Sequence, residues 1–160
     1  MKFFVTGVNG QLGHDVMNEL NKRGHQGVGS DMADTYAGVA DGSAVTRMDY
    51  VKLDITDKDA VSKVIEAVKP DAVIHCAAWT AVDMAEDDDK VEAVRKVNAC
   101  GTQNIADTCK KLNCKMLYLS TDYVFDGKKA QYYSYKEDDE LYLNPITMYG
   151  ITKLQGEKNI

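Results

Sequence analysis

Tyr149-Gly-Ile-Thr-Lys153 places a phenol and an ammonium four residues apart. On a helix that spacing brings both side chains to one face, where the cation stabilises the phenolate and makes the phenol a usable proton donor at neutral pH. The same spacing also suits an ordinary solvated helix face, so the pair needs support from the rest of the chain. A second constellation, Thr6-Gly7-Val8-Asn9-Gly10-Gln11-Leu12-Gly13, follows an apolar run at 2–6 and opens a helical pattern. There Gly7 would make the tight turn, Gly10 would admit a pyrophosphate against the backbone, and Gly13 would let helix and strand pack closely. Asn9, Gln11 and Leu12 complete the loop, and the helix N-terminus attracts the phosphates. A glycine-rich turn without a ligand is the alternative.

These residues need a scaffold. Short apolar runs at 2–6, 26–30, 50–53, 72–76 and 115–120 read as buried strands, and helical patterns lie between them at 11–23, 58–68, 91–112 and 147–160. Such alternation predicts an α/β fold, a Rossmann-like, doubly wound parallel sheet of about five strands with helices on both faces. Two stretches break the rhythm, 32–47 and 126–143; they are longer than ordinary α/β connections and read as surface insertions or loops leaning over a site.

Composition sets the limits. A chain of 160 residues, 44% hydrophobic, can bury one core but not a second full domain, so residues 1–160 are expected to form one NAD(P)-binding domain. A net charge of −6 without a Lys/Arg cluster argues against a nucleic-acid polymer as partner. Cys76, Cys100, Cys109 and Cys114 have no paired spacing and read as reduced, mostly buried thiols. The start at Met1-Lys2-Phe3 runs straight into a strand, so a cytoplasmic protein without membrane association is expected.

Further residues join the two constellations. Asp31 ends the second strand, near the offset of about twenty residues at which an acid accepts bonds from adenosine ribose hydroxyls. It reads equally as a loop or capping carboxylate; in the ribose role it favours NAD over NADP, without excluding dual use. Cys76-Ala77-Ala78 ends the fourth strand, where small side chains let backbone approach a cofactor or serve close packing. The acidic run Asp83, Glu86, Asp87, Asp88 and Asp89 reads as a solvated helix N-terminus rather than a metal site, and His14, His25 and His75 are too scattered for zinc.

The spacing G-x-x-G-x-x-G at residues 7–13 resembles the extended short-chain dehydrogenase/reductases. A closer resemblance rests on Ala77-Ala78-Trp79-Thr80-Ala81-Val82-Asp83-Met84-Ala85-Glu86, Val97-Asn98-Ala99, Ser120-Thr121-Asp122-Tyr123-Val124-Phe125-Asp126-Gly127, and the stretch from Pro145 through Tyr149 and Lys153 to Glu157. In this order and separation they are similar to the dTDP-4-dehydrorhamnose reductase family, over essentially the whole chain. The resemblance implies reduction of the 4-keto group of a dTDP-linked 6-deoxyhexulose, giving dTDP-L-rhamnose, with hydride from NADPH or NADH. Mapped by motif, Tyr149 protonates the developing alkoxide, Lys153 supports it and holds the nicotinamide ribose, and Thr121 bonds the ketone oxygen.

By the same resemblance Asp54 and Ile55 lie around the adenine, and Ala77, Ala78 and Ser120 lie beside the cofactor. Asn98 supports Lys153, while Thr80, Val82 and Asp122 line the sugar side. Asp54 also suits a helix N-terminal signal, Asn98 a partly buried helix position, and Thr80, Val82 and Asp122 plain loop geometry. Members of the family bind magnesium (Mg2+), but no ligands are assignable in this sequence. The resemblance further implies that the chain ends within the Tyr-x-x-x-Lys helix, before the C-terminal region that holds the nucleotide sugar. Part of that helix is then left to solvent or to another chain, a homodimer included. Two other classes stay open: a sugar-nucleotide epimerase or dehydratase, which should not need the Ser-Thr-Asp-Tyr-Val-Phe block, and a non-catalytic dinucleotide-binding regulatory subunit.

Overall fold

The computed structural model describes residues 1–44, 48–130 and 133–160. In chain order its elements are β1 (Lys2–Thr6), α1 (Gln11–Lys22), β2 (Gln26–Asp31), α2 (Ala37–Ala40), β3 (Asp49–Lys52), α3 (Lys58–Val68), β4 (Ala72–His75), α4 (Val91–Arg95), α5 (Thr102–Leu112), β5 (Lys115–Tyr118) and α6 (Met148–Glu157). All four strand pairings are parallel and the order is β3-β2-β1-β4-β5. This is the Rossmann-like architecture expected from the alternation. The chain runs outward from β1 through β2 to β3, then returns to the other side at β4, so the order reverses between β1 and β4. In open α/β sheets that reversal leaves a crevice at the strands' carboxyl ends, where ligands bind. Register aligns those ends, because Thr6 pairs with both Ser30 and His75, and His75 with Tyr118.

Side chains alternate across the sheet, so β1 serves two cores at once. Phe4 packs with Val28, Val73, Val61, Ile65 and Ile105 beneath α3 and α5. Val5 packs with Val8, Met17, Leu20 and Tyr36 beneath α1. Helix ends follow local chemistry. Asp57 caps α3 by accepting from the Ala60 amide (3.0 Å), and Thr147 caps α6 by accepting from the Gly150 amide (3.0 Å). At α1 the N-cap is Gly10, which offers no side-chain cap.

Two expectations need correction, the unbroken helix and the burial of the thiols. The single helix expected at 91–112 is interrupted: a π-helical turn, Lys96–Gly101, separates α4 from α5. The Thr102 hydroxyl donates to the Asn98 carbonyl (2.7 Å) in this wider turn, which periodicity alone does not register. The acidic run lies, as expected, at exposed helix starts, with Asp87, Asp88 and Asp89 leading into α4. Asp83–Glu86 forms a 3₁₀ turn, and the Glu86 carboxylate accepts from the Met148 amide (2.6 Å) at the start of α6. Of the thiols only Cys109 is buried; Cys76 and Cys114 are half-buried and Cys100 is exposed on the π turn. The two long connections carry short helical turns. The first contains α2 and the second a 3₁₀ turn at Glu140–Tyr142, while 45–47 and 131–132 of those stretches lie outside the described residues.

Candidate active site

A cavity of about 450 Å³ opens at the carboxyl ends of the strands, across the reversal between β1 and β4. Gly7 begins its floor with φ +73°, a left-handed conformation that glycine tolerates; a Cβ there would meet the Ala77 amide nitrogen at 2.6 Å. A Cβ on Gly13 would run into the Gly7 carbonyl, so α1 can approach the turn only without a side chain. Gly10, Gln11 and Leu12 line the cavity beside them, at the start of α1, whose first amides have no side-chain cap among the described residues and suit an anion. This turn fits a pyrophosphate, since Gly7, Gly10 and Gly13 let the backbone close up tightly without a side chain.

Asp31, Asp54 and Ile55 line the same cavity at the ends of β2 and β3. Asp31 accepts from the amides of Asn9 (3.0 Å) and Met32 (2.8 Å), one on each carboxylate oxygen. Asp54 accepts from the amide and hydroxyl of Thr56 (2.9 and 2.8 Å), so it shapes its turn while facing the cavity. Ala77, Ala78, Thr80, Ser120, Tyr149 and Lys153 form the other end. Five expected residues do not line it: Asn9, Val82, Asn98, Thr121 and Asp122. Both ends of the Asn9 amide hold the following loop, donating to the Thr35 carbonyl and accepting from the Ala37 amide. Thr121 caps a 3₁₀ turn at Asp122–Val124; its hydroxyl accepts from the Tyr123 amide and donates to Asp122 (3.2 Å each). The stretch 126–143 packs on itself, with Phe125 stacked on Tyr135 at 4.5 Å and the Lys129 ammonium paired with Asp139 beside the Tyr135 and Tyr142 rings.

Asn98 is buried and ties two elements together. Its carbonyl oxygen accepts from the Trp79 amide (2.8 Å), and its amide donates to the Trp79 carbonyl (3.1 Å) and the Thr152 hydroxyl (3.2 Å). It therefore reaches Lys153 through the neighbouring residue of α6. Lys153 is 4% exposed, its ammonium donating to the Leu119 carbonyl (2.6 Å) and lying 4.1 Å from the centre of the Tyr118 ring. Burial pulls its pKa down to about 8, and the negative charge of Glu157 opposes that fall. Tyr149, one turn earlier, is half-buried with its ring edge-on to Tyr123 at 5.6 Å. The hydroxyl hydrogens of Ser30 and Ser120 are committed to the Val5 carbonyl and to Glu157. The Tyr149 hydroxyl has no protein partner among the described residues.

Sequence reading missed His75, which lines the cavity and is 2% exposed. Thr102 gives its hydrogen to the Asn98 carbonyl, so its oxygen accepts from His75 Nε2 (3.1 Å). Nδ1 then accepts from the Thr6 hydroxyl (2.7 Å), whose oxygen accepts from the Ala77 amide (3.2 Å). The imidazole is thus neutral, in one tautomer, bridging the glycine turn to the π turn. The available signal was one polar residue closing an otherwise apolar strand. Burial, then the Lys153 charge, pulls its pKa down to about 3. The unfolded chain takes up a proton near the ordinary value of 6.5 that the native state refuses, so stability falls as pH drops from about 6.5 toward 3. His75→Gln is expected to flatten the fall of unfolding free energy, measured by urea unfolding, between those values, by up to about 1.4 kcal/mol per pH unit. Equal slopes in the two proteins would refute this.

Among the described residues no group of three or more His, Cys, Asp or Glu is arranged to hold a metal ion, and no helix is long and apolar enough to cross a membrane. The family model described as the RmlD substrate binding domain matches residues 1–160. The chain belongs to the RmlD substrate binding domain family. Among its relatives, this RmlD-family chain is 41% identical to a dTDP-4-dehydrorhamnose reductase of Mycolicibacterium smegmatis, over 99% of the chain and 41% of that protein. The solved structure of a dTDP-4-dehydrorhamnose reductase from Clostridium acetobutylicum matches with a TM-score of 0.80 at 36% identity, over 99% of this chain and 48% of that one. That of a dTDP-4-dehydrorhamnose reductase from Bacillus anthracis, in complex with NADP, matches with a TM-score of 0.74 at 30% identity, over 99% and 48%. The RmlD-family chain is also 30% identical to the methionine adenosyltransferase 2 subunit beta of Bos taurus, over 99% of the chain and 42% of that protein. It spans less than half the length of each of these relatives.

Proposed function

We propose that residues 1–160 form the nicotinamide-dinucleotide-binding domain of a sugar-nucleotide reductase. Its substrate is the 4-keto group of a dTDP-6-deoxyhexulose, dTDP-4-dehydrorhamnose, and its product is dTDP-L-rhamnose. One observation carries the reading: a single cavity joins the glycine cradle at one end to Tyr149 and Lys153 at the other. Gly7, Gly10, Gln11, Leu12 and Gly13 would hold the pyrophosphate, with Asn9 bracing the loop beside them. Asp31 would take the adenosine ribose, and Asp54 and Ile55 would flank the adenine. Ala77, Ala78 and Ser120 leave room toward the nicotinamide, NADH or NADPH, which supplies a hydride when bound.

The protein's own residues handle the oxygen. A ketone that accepts hydride gathers negative charge, and the Tyr149 phenol gives it a proton. The Lys153 ammonium stabilises the phenolate left behind and binds ribose hydroxyls. Thr121 aids by turning toward the ketone the hydroxyl hydrogen now given to Asp122. Thr80 lines the sugar side, Val82 and Asp122 shape the loops around it, and Asn98 holds α6 in place.

The test follows NADH and NADPH consumption by the full-length enzyme with dTDP-4-keto-6-deoxy-L-mannose. Substrate-dependent oxidation is expected, and its absence sinks the reductase reading. Dinucleotide binding without turnover would instead support a non-catalytic subunit, the second reading, which the likeness to the methionine adenosyltransferase subunit favours.

Cofactor choice provides a further prediction. Both Asp31 oxygens keep lone pairs for ribose hydroxyls, whereas a 2′-phosphate would meet a carboxylate already held in place by two amides. Asp31→Ala is expected to weaken the preference for NADH over NADPH about tenfold, equivalent to about 1.4 kcal/mol. An unchanged ratio of dissociation constants removes Asp31 from the ribose role.

A further inference from the structure

Glu157 is the last residue of α6, one turn beyond Lys153 and on the same face. A carboxylate is disfavoured there, because the helix macrodipole places partial negative charge at that end. The structure shows what holds it. Ser120, which lines the cavity beside Lys153, donates its hydroxyl hydrogen to Glu157 Oε1, clamping the end of α6 to the loop after β5. Lys153 is the only cation lining the cavity among the described residues, and its ammonium is bound to a neutral carbonyl and an aromatic face, neither of which balances a buried charge.

The other titratable groups that face Lys153 do not balance it. Tyr149 shares its helix, Tyr118 lies beneath it on β5, and burial pushes the Tyr118 phenol up and keeps it neutral. His75 on β4 is a neutral imidazole. The π turn packed against α6 contributes Asn98, which does not titrate.

We propose that Glu157 is the counter-ion that keeps Lys153 an ammonium at neutral pH, and that Ser120 is the tether that aims its carboxylate. Glu157 is a positioning residue, since it acts on the reacting oxygen only through Lys153. The use of that charge rests on the reductase reading; whether Glu157 sustains it is measurable without turnover.

The experiment titrates Lys153 by NMR of isotope-labelled lysine side chains in the full-length protein, with Lys153→Arg assigning the signal. The wild-type midpoint is expected at about 8. Glu157→Gln keeps the acceptor for Ser120 but removes the charge, and should move the midpoint down by about one unit. Glu157→Asp restores charge and should recover part of that shift. Ser120→Ala frees the carboxylate without neutralising it, and should give a smaller fall. An unmoved midpoint in Glu157→Gln overturns the proposal; if that variant does not fold, an unmoved midpoint in Ser120→Ala does so. A wild-type enzyme that shows the predicted midpoints but no turnover would defeat the reductase reading alone.

Discussion

Tyr149→Phe should leave dinucleotide binding intact and slow turnover by about 10²–10⁴-fold. The substitution removes one oxygen and keeps the ring, so the edge-on contact with Tyr123 at 5.6 Å persists and α6 keeps its packing. The loss falls on the proton. Of the cavity hydroxyls, Thr6 donates to His75, Ser30 to the Val5 carbonyl and Ser120 to Glu157, so none of these three replaces the phenol without breaking a bond. Steady-state kinetics on the full-length enzyme separates the outcomes: kcat falls while KM for the dinucleotide stays within about twofold. A Phe variant with wild-type kcat would remove Tyr149 from the reaction.

Lys153→Met should move activity and stability in opposite directions. Turnover drops by about 10²–10³-fold, the usual loss when a positioned charge beside a developing oxyanion is removed. Stability at pH 7 rises instead. The displacement of the Lys153 pKa from 10.5 to about 8 means that folding works against this ammonium by about 3 kcal/mol. Loss of the bond to the Leu119 carbonyl and of the Tyr118 contact returns about 1–2 kcal/mol of that gain. The net expectation is about 1–2 kcal/mol of added stability.

The sign also sets a pH signature. Below about pH 8 both folded and unfolded Lys153 hold the proton, so the penalty is full and constant. Between about 8 and 10.5 the native state has shed the proton while the unfolded chain keeps it, so wild-type stability rises and the advantage of the Met variant fades. Urea unfolding at pH 7 and pH 10 tests both statements. A Met variant less stable than wild type at pH 7 would show that the ammonium contributes more to the fold than its burial takes away.

Much of the site could be read from the chain because its determinants are local. The turn at Gly7–Gly13 lies within eight residues, where the need for a missing Cβ is written in the residue types. Tyr149 and Lys153 share a face because helical periodicity places them there. Strand alternation foretold the parallel sheet, and with it the crevice at the carboxyl ends.

What stayed hidden depends on partners far apart in sequence. His75 meets Thr6 across 69 residues and Thr102 across 27, and Glu86 meets the Met148 amide across 62. The Ser120–Glu157 clamp spans 37, and the Asn9 amide is spent on a loop 26–28 residues on. The π turn arises from packing that puts Asn98 against Trp79 and Thr152. By itself the sequence determined the architecture, the glycine turn and the Tyr–Lys pair, since backbone sterics and side-chain periodicity act over a few residues. Only the tertiary structure decided the tautomer of His75, the burial of Lys153 and the Ser120–Glu157 contact, because desolvation and buried hydrogen bonds depend on which distant elements close over a group.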